Sequence, residues 1–233
     1  MPEYYVRFPP PESADENGLI AVGGDLSVKR LLDAYTHGIF PWYIENQPIL
    51  WWTPDPRYVL YVDNFRVSRS LKKSVRNKGF TVSVNACFDQ VIEQCRTIER
   101  GTDESGSWIT DEMLTAYCDL HRLGLAHSVE AWREDELAGG LYGVSLGRMF
   151  FGESMFSTQR DGSKVALHYL VQLLKRWEFP MIDCQLPSEH MISLGAVPVQ
   201  RERFLSEMAD ALVEPAPCGA WDSHSTAASN EPL

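Results

Sequence analysis

The residues of this sequence whose types and spacing could do chemistry gather in two short strand-like runs. In Ile182-Asp183-Cys184-Gln185 the two-residue strand period places Asp183 and Gln185 on one side and turns Ile182 and Cys184 into packing. A carboxylate and an amide side by side at a strand end can orient a nucleophile, or can satisfy the polar groups of the next loop. Gly152-Glu153-Ser154 sets a second carboxylate at the end of the apolar run Met149-Phe150-Phe151. An acid there is costly unless it is paired or lines a cavity; the other reading is a turn. Trp42, Trp51, Trp52 and Trp108 supply rigid apolar surface, either as core or as the wall of an apolar side-chain pocket.

A third candidate is electrostatic. Arg66, Arg69, Lys72, Lys73, Arg76 and Lys78 follow one another with no acid between them, in a chain whose 21 basic and 32 acidic residues give a net charge of -11. The total disfavours a uniformly basic nucleic-acid binder, whereas the island is either a solvated helix face or a local contact for a nucleic-acid backbone. Gln159-Arg160-Asp161-Gly162-Ser163-Lys164 lies between a strand and a helix, where backbone N–H groups can cradle an anion or a helix can simply start. It partly matches the pyrophosphate loop of acetyl-CoA-dependent N-acyltransferases, with Lys164 where that loop has a small residue.

The five cysteines, Cys87, Cys95, Cys118, Cys184 and Cys218, form no closely spaced pair, and no Walker loop, dinucleotide glycine fingerprint or His-Glu-x-x-His motif occurs. His121 and His127 read as surface or hydrogen-bonding residues. No metal and no cofactor are expected, and a reducing, cytoplasmic setting is. The first residues lack a basic start followed by an apolar run, and no window nears the roughly 18 apolar residues of a membrane span.

The elements that must position these groups divide the chain. Residues 1–60 are rich in Trp, Pro and Gly, with one helix from Val28 to His37, and read as a small loop-built domain. Regular structure follows over 61–214. A strand is expected at 58–62, a helix at 68–77, a strand at 80–84, a helix at 88–96 and a Thr110-capped helix ending near Gly124. Three strands at 126–133, 137–144 and 148–156 form an antiparallel meander, followed by a helix over 163–177 and a buried strand over 180–185. Residues 215–233 read as a flexible tail.

Taken in order, Asn17-Gly18-Leu19-Ile20-Ala21-Val22-Gly23-Gly24-Asp25-Leu26-Ser27, Gly38-Ile39-Phe40-Pro41-Trp42 and Leu50-Trp51-Trp52-Thr53-Pro54-Asp55-Pro56-Arg57 resemble the bacterial leucyl/phenylalanyl-tRNA-protein transferases. Trp108-Ile109-Thr110, Gly139-Gly140-Leu141-Tyr142, Phe151-Gly152-Glu153-Ser154, Ile182-Asp183-Cys184-Gln185 and Ser193-Leu194-Gly195-Ala196 resemble that family's later blocks, so the likeness runs over about residues 8–205. It implies an α+β fold: a small N-terminal domain and an N-acyltransferase-like (GNAT-like) domain whose mixed, largely antiparallel sheet is flanked by helices. It implies a cytoplasmic, monomeric enzyme without cofactor. Such an enzyme moves leucine or phenylalanine, sometimes methionine, from aminoacyl-tRNA onto the N-terminal Arg or Lys of a protein and marks that protein for degradation.

The resemblance also assigns roles. Gln185 hydrogen-bonds the attacking amine, Asp183 polarises and orients Gln185, and Glu153 holds the amine or the acceptor's basic side chain. Trp42, Trp108, Tyr117, Leu141, Phe150, Leu170 and Leu174 surround the amino acid and the terminal adenosine. The family commonly has methionine where Leu141 stands and phenylalanines where Leu170 and Leu174 stand, which leaves the pocket's shape open. The basic island becomes a tRNA contact. An aminoacyl ester is already activated, so aminolysis needs positioning rather than ATP or a nucleophile triad. The alternatives are an acetyl-CoA-dependent N-acetyltransferase and a non-catalytic RNA-binding module.

Overall fold

Three short strands and one tightly capped helix build the start of the chain. The computed structural model describes residues 7–77, 79–98, 108–216, 221 and 224–227, and the structural statements below concern these. Strands β1 (Leu19–Val22), β2 (Phe40–Pro41) and β3 (Leu50–Trp52) form an antiparallel sheet in the order β1-β3-β2. The region expected to be loop-built is therefore a small sheet; its proline in a strand, Pro41, falls on an edge, where a missing N–H is tolerated.

Helix α1 (Val28–Thr36) starts at Ser27, whose hydroxyl accepts the Arg30 N–H at 3.3 Å. It ends in a Schellman turn, with the Gly38 N–H on the Tyr35 carbonyl (3.1 Å) and the Ile39 N–H on the Ala34 carbonyl (2.9 Å). Gly38 has φ 71°, a left-handed turn that favours glycine, and a Cβ there would lie 2.5 Å from Leu205 Cδ2 and push that side chain aside.

The larger sheet contains β4 (Arg57–Tyr61), β5 (Thr81–Val84), β6 (Ala126–Arg133), β7 (Glu136–Leu146), β8 (Met149–Ser157), β9 (Met181–Gln185), β10 (Val197–Val199) and β11 (His224–Ala227). Their order is β10-β4-β9-β8-β7-β6-β5-β11. All neighbours run antiparallel except β8 and β9, which pair in parallel at Phe150/Ile182 and Phe151/Asp183. The helices are α2 (Arg69–Asn77), α3 (Phe88–Thr97), α4 (Asp111–Arg122), α5 (Gly162–Arg176), α6 (Glu189–Ser193) and α7 (Arg201–Val213). This is the α+β class with a mixed, largely antiparallel sheet flanked by helices.

Strand alternation splits the core into two layers. Tyr142 and Phe151 pack with α3, α4, α1 and the small sheet, while Leu141 and Phe150 pack with α2 and α5. The first layer thus carries the small sheet and α1 onto the larger sheet. The meander, α5 and β9 all lie within two residues of their expected bounds, the largest difference being the end of β7 at Leu146. Helix α7, which buries Phe204, Met208 and Ala211, was not anticipated. Of 215–233, the structure describes 215–216, Trp221 and 224–227, the last four as β11 against β5.

Candidate active site

Beside the parallel pairing of β8 and β9, a cavity of about 300 Å³ opens. Its walls include Trp42, Trp108, Leu141, Phe150, Leu170 and Ile182, with Glu153, Cys184, Gln185, Ser188 and His190 as polar lining. The volume is at the lower end of small-ligand sites and suits an amino-acid side chain with its carbonyl. Five of the seven residues expected around the donor line it. Leu174 does not: it is fully buried, one helical turn beyond Leu170. Tyr117 does not line it either, but contacts two residues that do, Glu153 by a hydrogen bond and Tyr142 ring to ring.

Asp183 and Gln185 do not share a face. Gln185 lines the cavity together with Ile182 and Cys184, whereas Asp183 is fully buried against Arg57. Alternation fails because Gln185 adopts φ 57°, and β4 slips in register at this point, pairing Tyr58 with Gln185 but Val59 with Asp183. Asp183 is held from three directions. Arg57 Nε donates to Oδ1 (2.8 Å), Arg57 Nη2 donates to Oδ2 (2.7 Å), and the Gln185 backbone N–H donates to Oδ1 (3.0 Å). Arg57 Nη1 donates to the Gly38 carbonyl at 3.1 Å, which ties the end of α1 to this pair. Asp183 therefore orients Gln185 through its backbone, not its amide. The Gln185 Nε2 is buried with no hydrogen-bond partner, an uncommitted donor in the cavity wall.

Glu153 and two phenols form a closed ring of three contacts. Tyr35 Oη donates to Oε1 (2.8 Å), Tyr117 Oη donates to Oε2 (3.1 Å), and the two phenol oxygens also lie in hydrogen-bond contact with each other. Two phenol protons cannot serve three contacts. A proton on Glu153 closes the ring: the carboxyl then donates to one phenol, which is freed to donate to the other, in agreement with burial pushing the carboxyl up to about 7 against the lowering effect of the two tyrosines. Asp183 raises it further and Arg57 lowers it. Burial also holds both tyrosines well above the usual phenol range, so they remain donors. Cys184, which lines the cavity, has its thiol raised far beyond its ordinary range by burial and is no thiolate nucleophile.

Tyr35, Arg57 and His190 were missed by the sequence reading. The first two lie 118 and 126 positions from their partners, so no local pattern could link them. His190 lines the cavity with its Nε2 buried and unpartnered.

Two other candidates fall outside the cavity. Arg66, Arg69, Lys72, Lys73 and Arg76 are all exposed around α2, whose buried side carries Leu71 and Val75. Among the described residues none of the five has a carboxylate within salt-bridge distance, and Lys78 lies outside them. At the start of α5 the anion cradle is already filled, with the Gly162 N–H on the Gln159 carbonyl (3.1 Å) and the Ser163 N–H on Ser157 Oγ (2.8 Å). Those donors are not available to a pyrophosphate. No group of three or more potential metal ligands converges among the described residues, and no described helix is long and apolar enough to cross a membrane.

Comparison with known proteins gives a consistent result. Residues 59–209 match the family described as leucyl/phenylalanyl-tRNA protein transferase, and residues 24–55 match its N-terminal domain. A leucyl/phenylalanyl-tRNA–protein transferase of Maridesulfovibrio salexigens is 54% identical over 92% of this chain and 90% of its own. Those of Syntrophobacter fumaroxidans and Myxococcus xanthus are each 51% identical over 94% of this chain and 93% of theirs. The solved L-PGS from Bacillus licheniformis shares 13% identity over 70% of this chain and 52% of that one, with a TM-score of 0.38, too slight to carry an argument.

Proposed function

Since this chain belongs to the leucyl/phenylalanyl-tRNA protein transferase family, aminoacyltransferases whose substrates are an aminoacyl-tRNA and a protein, we propose that its cavity passes leucine or phenylalanine directly to the N-terminal Arg or Lys of the acceptor. The observation that carries this is one cavity with an apolar wall for the donor side chain, an uncommitted Gln185 amide, and a carboxyl raised to about 7. The donor side chain rests against Leu141, Phe150, Leu170 and Trp108. Glu153, once ionised, holds the cationic acceptor.

In the transfer the acceptor's neutral α-amine attacks the ester carbonyl. A C–N bond forms, the bond to the tRNA 3′-terminal ribose oxygen breaks, and an amine proton ends on that oxygen. The Gln185 amide oxygen accepts from the amine N–H, and Nε2 donates to the carbonyl oxygen as charge builds there. The free α-amino group has a pKa of about 7.7–8.0, so little proton removal is required. No covalent enzyme intermediate forms. The acceptor so extended is marked for degradation, in the cytoplasm where charged tRNA is made, by a monomer whose single chain carries the whole cavity.

The boundary expected between residues 60 and 61 would cut β4, so we place it just before that strand, because Arg57–Tyr61 pairs with β9 inside the larger sheet. The N-acyltransferase-like reading of that sheet is supported by its meander, crossover helix α5 and parallel β8/β9 pair.

Incubating the protein with Arg-, Lys- and Ala-initiated peptides, and either leucyl-tRNA or labelled acetyl-CoA, tests this reading. Product from leucyl-tRNA with the Arg and Lys peptides alone supports it. Product from acetyl-CoA, or equal use of the Ala peptide, contradicts it.

Two further outcomes are expected. Replacing Lys72, Lys73 and Arg76 with Glu weakens binding of all tRNA sequences alike and flattens its salt dependence by about one to three units of slope, because phosphate contacts act through counterion release. A wild-type salt slope would make the island a solvated face. Trp108→Ala lowers discrimination between leucyl and alanyl donors about 10-fold while peptide affinity holds, since an apolar wall loses on the order of 1 to 3 kcal/mol of burial. Unchanged donor discrimination would make Trp108 ordinary packing.

A further inference from the structure

Trp221 lies beyond both family-matched spans, yet it is built firmly into the fold. Its ring stacks on His127 at 4.3 Å and 7°, and meets Trp177 at 4.9 Å and Phe179 at 6.4 Å. Its indole N–H donates to Ser145 Oγ at 3.2 Å, and its carbonyl accepts from Asn85 Nδ2 at 2.7 Å. Asn85 is itself fixed, with Oδ1 accepting the Ser128 N–H at 3.0 Å and Nδ2 3.1 Å from His127 Nδ1. Just after Trp221 the chain joins the sheet as β11.

The ring that connects this anchor to the cavity is Phe150. It is 1% exposed, lines the cavity, and lies 5.6 Å from the Trp221 ring. It also lies against Gly143, where an added Cβ would come within 2.6 Å of it. A glycine beneath it and Trp221 beside it leave Phe150 one place to be.

We propose that Trp221 is a specificity-determining positioning residue: by holding Phe150 against Gly143 it sets the depth of the donor pocket and so the balance between leucine and phenylalanine. This rests on the reading of the cavity as the donor pocket. Without the indole, Phe150 has room to swing away, the pocket deepens, leucine loses contact and phenylalanine gains it.

The test uses the full chain with one Arg-initiated peptide and compares kcat/KM for leucyl- and phenylalanyl-tRNA in wild type, Trp221→Ala, Trp221→Phe and Phe150→Leu. In Trp221→Ala the leucyl-to-phenylalanyl ratio is expected to fall about fivefold or more, with the peptide KM within about twofold, and Trp221→Phe to restore the ratio. General loss of stability would lower both donors alike and leave the ratio in place. If Trp221→Ala does not fold, Trp221→Leu is read by the same ratio. A wild-type ratio in Trp221→Ala, or in Trp221→Leu where that variant replaces it, with an altered one in Phe150→Leu, overturns the role of Trp221 alone. A wild-type ratio in Phe150→Leu as well overturns the donor-pocket reading and this inference with it.

Discussion

Asp183→Asn is expected to lower single-turnover transfer about 100-fold or more and folding stability by about 3 to 5 kcal/mol. The stability loss follows from Arg57, 1% exposed, which would keep its charge after losing the carboxylate that takes two of its N–H groups. The rate loss follows from Gln185, whose left-handed backbone is held by its N–H on Asp183 Oδ1. An asparagine oxygen at the Oδ1 position can keep the Arg57 Nε and Gln185 N–H contacts, but its NH2 then faces Arg57 Nη2, donor against donor, and pushes the strand end off its partner. A second consequence separates charge from shape. Asp183 raises the Glu153 carboxyl and Arg57 lowers it, so in Asp183→Asn the Glu153 ionisation moves down from about 7. The double variant Arg57→Gln/Asp183→Asn buries no lone charge and should regain part of the stability without regaining the rate. Urea unfolding and rapid-quench transfer measure the two; wild-type stability in Asp183→Asn would mean the pair is not what holds the strand end.

Glu153→Gln is expected to remove one limb of the pH profile and to lower kcat/KM for an Arg-initiated peptide about 10- to 100-fold at pH 7.5, mainly through KM. Below about 7 the wild-type carboxyl is neutral and offers a cation little; above it the carboxylate attracts the acceptor. Tyr35, Tyr117, Asp183 and Arg57 face the same group, and burial holds the two phenols well above their usual range. The α-amine loses its proton at about 7.7–8.0, so the wild type carries two rising limbs and the variant one. Stability runs the other way. A carboxyl whose folded value, about 7, lies above its unfolded value near 4.5 costs stability as pH climbs between the two, so the advantage of glutamine should grow over that window and then level. Identical profiles in the two proteins would take Glu153 out of acceptor recognition.

Much of the fold could be read from periodicity, because the meander, α5 and β9 each carry a run long enough for alternation or a helical stripe to register. The site was legible as residues and less so as geometry. Asp183 and Gln185 were singled out by type, but a period of two cannot foresee a left-handed φ at a strand's last residue, and it put both on one face. The stripe through Leu170 and Leu174 marked an apolar helix side without telling which part faces a cavity and which a core. Tyr35 and Arg57 come from the early segment, where prolines obscured the small sheet, and their partners are met only after folding. Trp221 stood in a stretch whose composition suggested a tail.

The most direct test of the transfer itself is a rapid-quench experiment with leucyl-tRNA labelled in the leucine, mixed with the protein first without and then with an Arg-initiated peptide. Direct aminolysis predicts that label stays on tRNA until peptide is present and then appears on the peptide alone, with no protein-bound leucine at any time. Leucine bound to the protein after denaturation, formed and consumed as fast as product appears, would contradict it.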